Sequence, residues 1–258
     1  MTTAPRRPLV AGNWKMHPTD RAAALALAGA VAEHTASVIA DERVEVVVCP
    51  PAIWLRDVAA SLDGTGVGVG AQTMHAEDSG AFTGEISPAM LAGVTRYVIV
   101  GHSERRHLFG ETDADVAAKV ASAVAHGIVP IAAVGETADE RRVHDTDSVI
   151  ERQVRAAISR LSGIAGGLMV VAYEPVWAIG TGDAATGEDA QAGAALIRSL
   201  LAEVDPAGAA ETRILYGGSV APELAADYFS QPDVDGALVG GASLDARAFA
   251  AIVRAAAA

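Results

Sequence analysis

The sequence predicts an α/β protein with one domain, residues 1–258, folded as a closed (β/α)8 barrel. Eight apolar runs recur along the chain, and helical stretches lie between them. The runs are continuous rather than alternating, which is typical of parallel strands that are covered on both faces. No Pro-, Gly- or Ser-rich linker divides the 258 residues. Eight strand-helix units in that length favour a closed barrel over an open doubly wound sheet.

The eight candidate strands are short apolar runs. In chain order they are Leu9–Ala11, Val44–Cys49, Val67–Ala71, Tyr97–Val100, Ile128–Val134, Leu168–Ala172, Ile214–Tyr216 and Ala237–Val239. Residues 113–126 predict a helix, because valines recur every fourth residue and Gly127 can cap its end. Thr137 and Glu140 have the spacing of a capping box, and we expect the helix that follows them to end at Gly163.

Composition limits the classes of function. The chain has 19 Lys and Arg against 32 Asp and Glu, a net charge of −13, so we expect neither a nucleic-acid nor a membrane partner. An anionic substrate must then be held locally, by backbone N–H groups and one or two cations. The single cysteine, Cys49, excludes an internal disulfide and a cysteine-based metal site, and we expect it only to pack.

We expect no metal and no cofactor. Two glycine patterns, at residues 66–68 and 180–182, are weak signals for a dinucleotide because neither lies in the turn after the first strand. The apolar run after Arg6 and Arg7 is too short for a secretion signal, and the longest uncharged stretch, residues 120–135, predicts a helix end and a strand. These features favour a cytoplasmic protein.

Lysine is rare in this chain. Seventeen arginines accompany only two lysines, Lys15 and Lys119. Lys15 lies in the segment Gly12–Met16, directly after the first candidate strand, where a compact ammonium differs chemically from the planar guanidinium used elsewhere. Lys119 lies within the helix predicted at residues 113–126, and we expect it to be solvated.

Glu174 is the candidate catalytic base. It follows the apolar run Leu168–Val171 closely and precedes a loop stiffened by Pro175, an arrangement that suits acid–base chemistry under a lid. The alternative is a solvated carboxylate that happens to end a strand. In a barrel, the residues that follow other strands converge on the same face. Those residues are Asn13 and Lys15, Gly101–Arg106, Tyr216–Ser219 and Gly240–Ser243.

These motifs, in this order, resemble the triosephosphate isomerase family. The matching segments are Ala11–Met16, Gly80–Glu85, Gly101–Arg106, Tyr173–Gly182, Leu215–Val220 and Leu238–Leu244. The resemblance covers nearly the whole chain and implies the TIM-barrel fold. It also implies interconversion of dihydroxyacetone phosphate and D-glyceraldehyde 3-phosphate through an enediol(ate), a step of glycolysis and gluconeogenesis.

The resemblance implies a role for each residue. Glu174 is the base, and His102 is a neutral imidazole that acts as electrophile, although a histidine after a strand is also often structural. Lys15 supplies positive charge to the phosphate and the enediolate, while Asn13 binds substrate and orients the lysine. Glu104 supports Lys15, with an ion pair to a neighbouring arginine as the alternative.

The phosphate and lid residues are also implied by the resemblance. Ser219, Gly240 and Gly241 bind the phosphate, together with a backbone N–H of Gly180 from the lid. The lid consists of Pro175, Val176, Trp177, Ala178, Ile179, Gly180 and Thr181. Closure of such a lid keeps water from an intermediate that readily eliminates phosphate.

The resemblance further implies a homodimer, in which Thr83 inserts beside Asn13 and Lys15 of the partner. The chain departs from the family pattern at four positions. Ala133 stands where a cysteine is usual, and Asp183 stands where a basic residue commonly begins the second hinge of the lid. Thr73 and His17 each replace a common asparagine.

Three alternatives remain open on the sequence alone. A sister isomerase of a tetrulose phosphate would use the same chemistry in a slightly larger pocket. A catalytically silent sensor of phosphorylated ligands is opposed by the presence of Lys15, His102 and Glu174. An aldolase-like enzyme would need Lys15 to form a Schiff base.

Overall fold

The strands close into a barrel. The computed structural model describes residues 6–164, 166–179 and 184–258, and eight parallel strands in these ranges pair in the order β1 to β8 and back to β1. Their bounds are β1 Leu9–Asn13, β2 Glu45–Cys49, β3 Gly68–Ala71, β4 Tyr97–Val100, β5 Val129–Val134, β6 Val170–Tyr173, β7 Arg213–Tyr216 and β8 Gly236–Val239. The predicted fold class is confirmed.

Helices surround the barrel. Those in the described residues are α1 Arg21–Ala40, α2 Leu55–Ser61, α3 Pro88–Leu91, α4 Ser103–Phe109, α5 Asp113–Ala125, α6 Ala138–Arg142, α7 Thr146–Ile158, α8 Gly187–Val204, α9 Pro206–Glu211, α10 Ala225–Phe229 and α11 Ala246–Ala256. Short 3₁₀ segments follow three strands, at Ala52–Trp54, Val176–Ala178 and Gly241–Leu244.

Side chains of the strands form two apolar layers. One set, which includes Leu9, Ile99 and Leu215, fills the barrel interior, and a larger set packs between strands and helices. Burial on both faces explains why the strand runs are continuously apolar. Cys49 belongs to the interior set and is fully buried, as predicted, and burial raises the pKa of its thiol to about 12.

One predicted helix is wrong in its extent. The capping box of Thr137 and Glu140 is present, but α6 ends at Arg142, and α7 begins only at Thr146 and ends at Ile158 rather than at Gly163. His144 adopts a left-handed conformation with φ of 58°. This geometry ends α6 in the way that a C-terminal glycine usually does. By contrast, α5 ends as predicted, with Gly127 at φ 68° just beyond it.

The prediction that Lys119 is solvated is wrong. Lys119 is buried, and its Nζ lies 3.2 Å from Glu111 Oε2 and 3.4 Å from Thr73 Oγ1. Burial alone would raise the pKa of Glu111, but Lys119, Arg105 and the Gly101 N–H together lower it. The lysine therefore compensates a buried carboxylate between β4 and α5.

Helix α1 is long and apolar enough to cross a membrane by length and composition. It packs instead against α11, α2 and β2, with Ala24, Ala28 and Val31 in the core. The sequence analysis considered a different segment, residues 120–135. Packing accounts for the apolar residues on the buried face of α1, and the absence of a membrane partner stays a prediction.

An ionic cluster lies at the amino-terminal end of the barrel. Glu45 accepts hydrogen bonds from Arg213 Nη1 at 2.7 Å and Tyr97 Oη at 2.8 Å, and Arg96 Nη1 lies 3.1 Å away. Burial acts to raise the pKa of Glu45, but Arg213, Tyr97 and Arg96 outweigh it and hold the pKa below its ordinary value. The ionised carboxylate therefore stabilises the fold.

We expect Glu45→Gln to lower the free energy of unfolding at pH 7 by about 1–3 kcal/mol. Because the pKa in the folded state is lowered, the contribution is present above the unfolded pKa of about 4.3 and is lost as pH falls through the folded pKa. Thermal unfolding at pH 7 and pH 3 tests this. The difference in melting temperature between wild type and variant should be smaller at pH 3 than at pH 7. A larger difference at pH 3 would contradict the assignment. Glu151→Gln, on an exposed helix face, is the control.

Candidate active site

A cavity of about 330 Å³ opens at the carboxyl-terminal ends of the strands. The structure brings together residues that follow five different strands, because parallel strands end at one face of the barrel. Among the residues that line the cavity are Asn13, Lys15, His102, Glu174, Ile179, Ser219, Gly240 and Gly241. Thr83 is exposed on the loop between β3 and α3 and does not line this cavity.

Glu174 follows β6 directly and is only 2% exposed. Its backbone N–H donates to the Val134 carbonyl at 2.7 Å, and its Oε2 accepts the Ser103 N–H at 2.9 Å. Among the described residues, Oε1 accepts no hydrogen bond and lies 3.3 Å from His102 Nε2. Glu174 is therefore not the solvated residue of the alternative interpretation, since one of its oxygens is anchored and the other faces the imidazole.

His102 is the N-cap residue of α4. Its Nδ1 accepts the backbone N–H of Glu104 at 3.2 Å. A backbone N–H can only donate, so Nδ1 must carry a lone pair, and the proton of the imidazole lies on Nε2. This hydrogen bond leaves Nε2 as the ring nitrogen that can donate toward the site.

Lys15 has an unusual backbone with φ of 51°. Its N–H donates to Asn13 Oδ1 at 3.0 Å, and its carbonyl accepts from Gln72 Nε2 at 2.7 Å. Both contacts stabilise a conformation that costs energy for a residue with a side chain. The backbone of the lysine is therefore fixed from both sides by uncharged side chains.

The Lys15 ammonium contacts Glu104, whose Oε1 lies 2.6 Å from Nζ. The arginines beside Glu104 have other partners, because Arg105 binds Glu111 at 2.6 Å and Arg106 binds Asp113 at 2.7 Å. The structure therefore does not show the alternative considered for Glu104, an ion pair with a neighbouring arginine. The ammonium borders both the cavity and the groove next to it.

Two glycine-containing loops form the far wall of the cavity. A Cβ on Gly240 would come within 3.5 Å of Lys15 Cε, so the loop after β8 approaches the lysine closely. Ser243, fully buried, donates its hydroxyl to the Gly240 carbonyl at 2.7 Å and holds this loop. Ser219 Oγ, after β7, donates to the Ala178 carbonyl at 2.6 Å. The loop after β7 is thereby linked to the first part of the predicted lid.

The first residues of the predicted lid follow Glu174. Val176–Ala178 form a 3₁₀ turn, and Ile179 lines the cavity. Trp177 is partly buried, and its Nε1–H donates to Glu136 Oε1 at 2.8 Å. Gly180 and Thr181, and the departure at Asp183, lie outside the described residues.

Sequence reasoning missed several residues that support the site. Glu136 is fully buried directly beyond β5, and Ser103, Gln72 and Ser243 hold Glu174, Lys15 and the Gly240 loop. Glu136 was detectable, because it follows a strand in the same way as Glu174. The departure Ala133 is buried in β5, and Thr73 contacts Lys119.

A closed barrel whose mouth holds a buried carboxylate, an imidazole and a lysine has the groups that an enzyme of acid–base chemistry needs. Residues 8–256 match the model of the triosephosphate isomerase family. The chain belongs to the triosephosphate isomerase family, and it is an isomerase.

Curated relatives agree along nearly their whole length. A triosephosphate isomerase of Symbiobacterium thermophilum is 52% identical over 254 residues, which cover 98% of each chain. That of Rhodopirellula baltica is 49% identical, over 97% of this chain and 98% of the relative. That of Moorella thermoacetica is 50% identical, over 96% and 98%.

Proposed function

We propose that this chain interconverts dihydroxyacetone phosphate and D-glyceraldehyde 3-phosphate. The observation that carries the proposal is the pairing of Glu174 Oε1 with His102 Nε2 at 3.3 Å in one cavity with Lys15. Moving a hydrogen between adjacent carbons needs a base beside the carbon and a proton donor beside the oxygen. The two side chains supply these groups from neighbouring positions.

In the proposed reaction, Glu174 removes a proton from the carbon next to the carbonyl and returns it to the adjacent carbon. His102 Nε2–H donates to the carbonyl oxygen on which negative charge develops. This oxygen gains a proton and the neighbouring hydroxyl oxygen loses one as it becomes the new carbonyl, so the imidazole is regenerated. The side chains carry all of the proton transfers, so we expect turnover in metal-free buffer and without a cofactor.

Lys15 provides the positive charge. Its ammonium is positioned to attract both the phosphate and the developing enediolate, and such fixed charge stabilises a transition state without reorganisation. Asn13, through the Lys15 N–H, orients the backbone of the lysine. Glu104 holds the ammonium before substrate arrives. The surface as a whole is acidic, with a net charge of −13, which makes this local cation more important.

We assign the phosphate to the loops after β7 and β8. Gly240 and Gly241 permit close approach of backbone N–H groups, which bind phosphate well. Ser219, after β7, lines the same cavity. The contact of Ser219 with Ala178 supports coupling between phosphate binding and the lid, and Gly180 would add a further N–H.

We propose a homodimer formed by the face around Lys15. A groove of about 490 Å³ lies beside the lysine and is lined in part by Met16 and Phe109, whose side chains are exposed. Ile53, Leu108 and Phe82 add exposed apolar groups. Large exposed apolar surfaces mark interaction sites, and the groove could receive the loop that carries Thr83 of a second copy.

We expect sedimentation at micromolar protein to give twice the 26.2 kDa of one chain. Met16→Glu should raise the dimer dissociation constant at least about 10-fold, because it exchanges a buried apolar contact for a charge. Val143→Glu is the matched control, since Val143 is 67% exposed and Met16 is 84% exposed. A monomeric wild type, or equal weakening by both variants, would refute this interface.

The activity test compares kcat/KM for D-glyceraldehyde 3-phosphate with that for a four-carbon ketose phosphate, both in metal-free buffer. A value for the triose near the diffusional ceiling of about 10⁸ M⁻¹s⁻¹ would support the proposal. Turnover of the four-carbon substrate alone would indicate the sister isomerase instead. Binding without turnover of either would indicate the sensor.

A further inference from the structure

A cluster of charged and aromatic side chains lies beside the active site and is not used by the reaction. Its centre is Glu136, a fully buried carboxylate. Trp177 Nε1 donates to it at 2.8 Å, and the hydroxyl of Tyr173 lies 3.2 Å and 3.3 Å from its two oxygens. A buried carboxylate also needs a cation nearby. The guanidinium of Arg141, on α6, lies 3.5 Å from Glu136 Oε1 and supplies it.

Arg141 makes two further contacts. Its Cζ lies 4.1 Å from the centre of the Trp177 ring, which is a cation–π geometry. Its Nη2 donates to Asp189 Oδ1 at 2.8 Å. One guanidinium thus contacts a buried acid, the face of an indole and a second acid. A planar guanidinium with several N–H donors is well suited to make all three contacts at once.

The two outer contacts lie on different elements, one within the lid and one in α8, which follows the lid in sequence. Trp177 comes three residues after Glu174, at the beginning of the lid. Asp189 lies in the first turn of α8, where its Oδ2 accepts the N–H and the hydroxyl of Thr186 at 3.0 Å and 2.9 Å. Arg141 therefore joins the start of the lid to the element into which the lid returns.

The lid residue next to Trp177 contacts the loop after β7, one of the two loops to which we assign the phosphate. Ala178, next to Trp177, accepts the hydroxyl of Ser219 at 2.6 Å. Loss of the Arg141 contacts would leave the Trp177 ring with one less attraction and Glu136 with its charge less compensated. Both effects favour states in which this part of the lid has moved away from its neighbours.

We propose that Arg141 is a positioning residue that fixes Trp177 and the amino-terminal part of the lid against the active site. Arg141 contacts the substrate at no point in this assignment and acts through Trp177 and Asp189. The inference rests on the proposed isomerase function for its catalytic consequence, but not for the contact itself. Two measurements therefore test it, one without substrate and one with substrate.

The first measurement is hydrogen–deuterium exchange of the free protein. The N–H groups of Val176, Ala178 and Ile179 are hydrogen-bonded, with donor–acceptor distances of 3.0, 2.8 and 3.2 Å. We expect Arg141→Gln to accelerate exchange of the peptide that contains them at least about 5-fold. The matched control is Arg142→Gln, because Arg142 is the next residue of α6 and forms an exposed pair with Asp139. Unchanged exchange in Arg141→Gln, or equal acceleration by both variants, would overturn the proposal.

The second measurement is turnover of D-glyceraldehyde 3-phosphate, with release of inorganic phosphate followed in the same samples. We expect Arg141→Gln to lower kcat/KM about 10-fold and to raise the ratio of eliminated phosphate to isomerised product. Arg141→Lys, which keeps the charge but not the planar fork, should lie between Arg141→Gln and wild type. A lower kcat/KM with an unchanged elimination ratio would indicate a merely structural role and overturn the proposal. If wild type does not turn over the substrate, the proposed function fails, and exchange alone decides whether Arg141 fixes the lid.

Discussion

Replacing Glu174 with glutamine is expected to lower kcat by about 10²–10⁴-fold, the usual contribution of a positioned general base. Glutamine has nearly the same shape, and its amide oxygen can accept the Ser103 N–H that Oε2 accepts now. The contact with Ser103 should therefore remain, while the amide nitrogen takes the place of Oε1 and faces the Nε2–H of His102. What the variant loses is the ability to take up a proton from carbon.

We expect the Glu174→Gln variant to affect kcat and KM differently. Because Glu174 is not assigned to the phosphate, KM should change little while kcat falls, as expected when a group acts mainly in the transition state. Steady-state kinetics with D-glyceraldehyde 3-phosphate measures both constants. Glu223→Gln is the control, since Glu223 is an exposed carboxylate on the loop after β7. Retention of more than a tenth of the wild-type kcat in the Glu174 variant would remove Glu174 from the role of base.

The candidate site could be predicted from the sequence because barrel geometry converts order along the chain into proximity. Asn13, His102 and Glu174 are far apart in sequence, yet Asn13 ends a parallel strand and the other two come within two residues of the end of one. The closed barrel brings these ends to one face. Helical periodicity and the apolar strand runs were sufficient to predict this convergence without knowledge of any side-chain contact. The resemblance then implied roles for the residues.

Other features could not be predicted because they depend on contacts between elements. Lys119 lies in a helix whose pattern fits a solvated lysine. Its ammonium instead forms a buried ion pair with Glu111, which precedes that helix. The break at His144 depends on a left-handed conformation that histidine adopts rarely. The apolar pattern on either side of the break continues, so periodicity alone joined α6 and α7 into one helix.

Glu136 illustrates a different kind of limit. Its position after β5 follows the same rule as that of Glu174, so its location near the mouth was predictable. The contacts of Glu136 could not be predicted. Its partners are the Trp177 indole and Arg141, whose side-chain directions depend on tertiary packing. Glu136 faces the indole of Trp177, whereas Glu174 faces His102 Nε2 and lines the cavity. The sequence gives the same signal for both.

His102→Gln is expected to lower kcat/KM by about 10²–10³-fold, the usual cost of removing one donor to a developing oxyanion. The glutamine amide can still donate an N–H. It lacks the rigid ring in which acceptance at Nδ1, from the Glu104 N–H at 3.2 Å, fixes the donor at Nε2. The donor must be in place before charge develops, so a freely rotating amide loses much of the stabilisation.

The matched control for this variant is His107→Gln, because His107 lies on the same helix, α4, and is exposed. Its kcat/KM should equal that of wild type. An independent check is the ¹⁵N NMR spectrum of the His102 ring at neutral pH, which should report one protonated nitrogen, Nε2, and one unprotonated acceptor, Nδ1. A doubly protonated ring would contradict the assignment of Nδ1 as the acceptor of the Glu104 N–H.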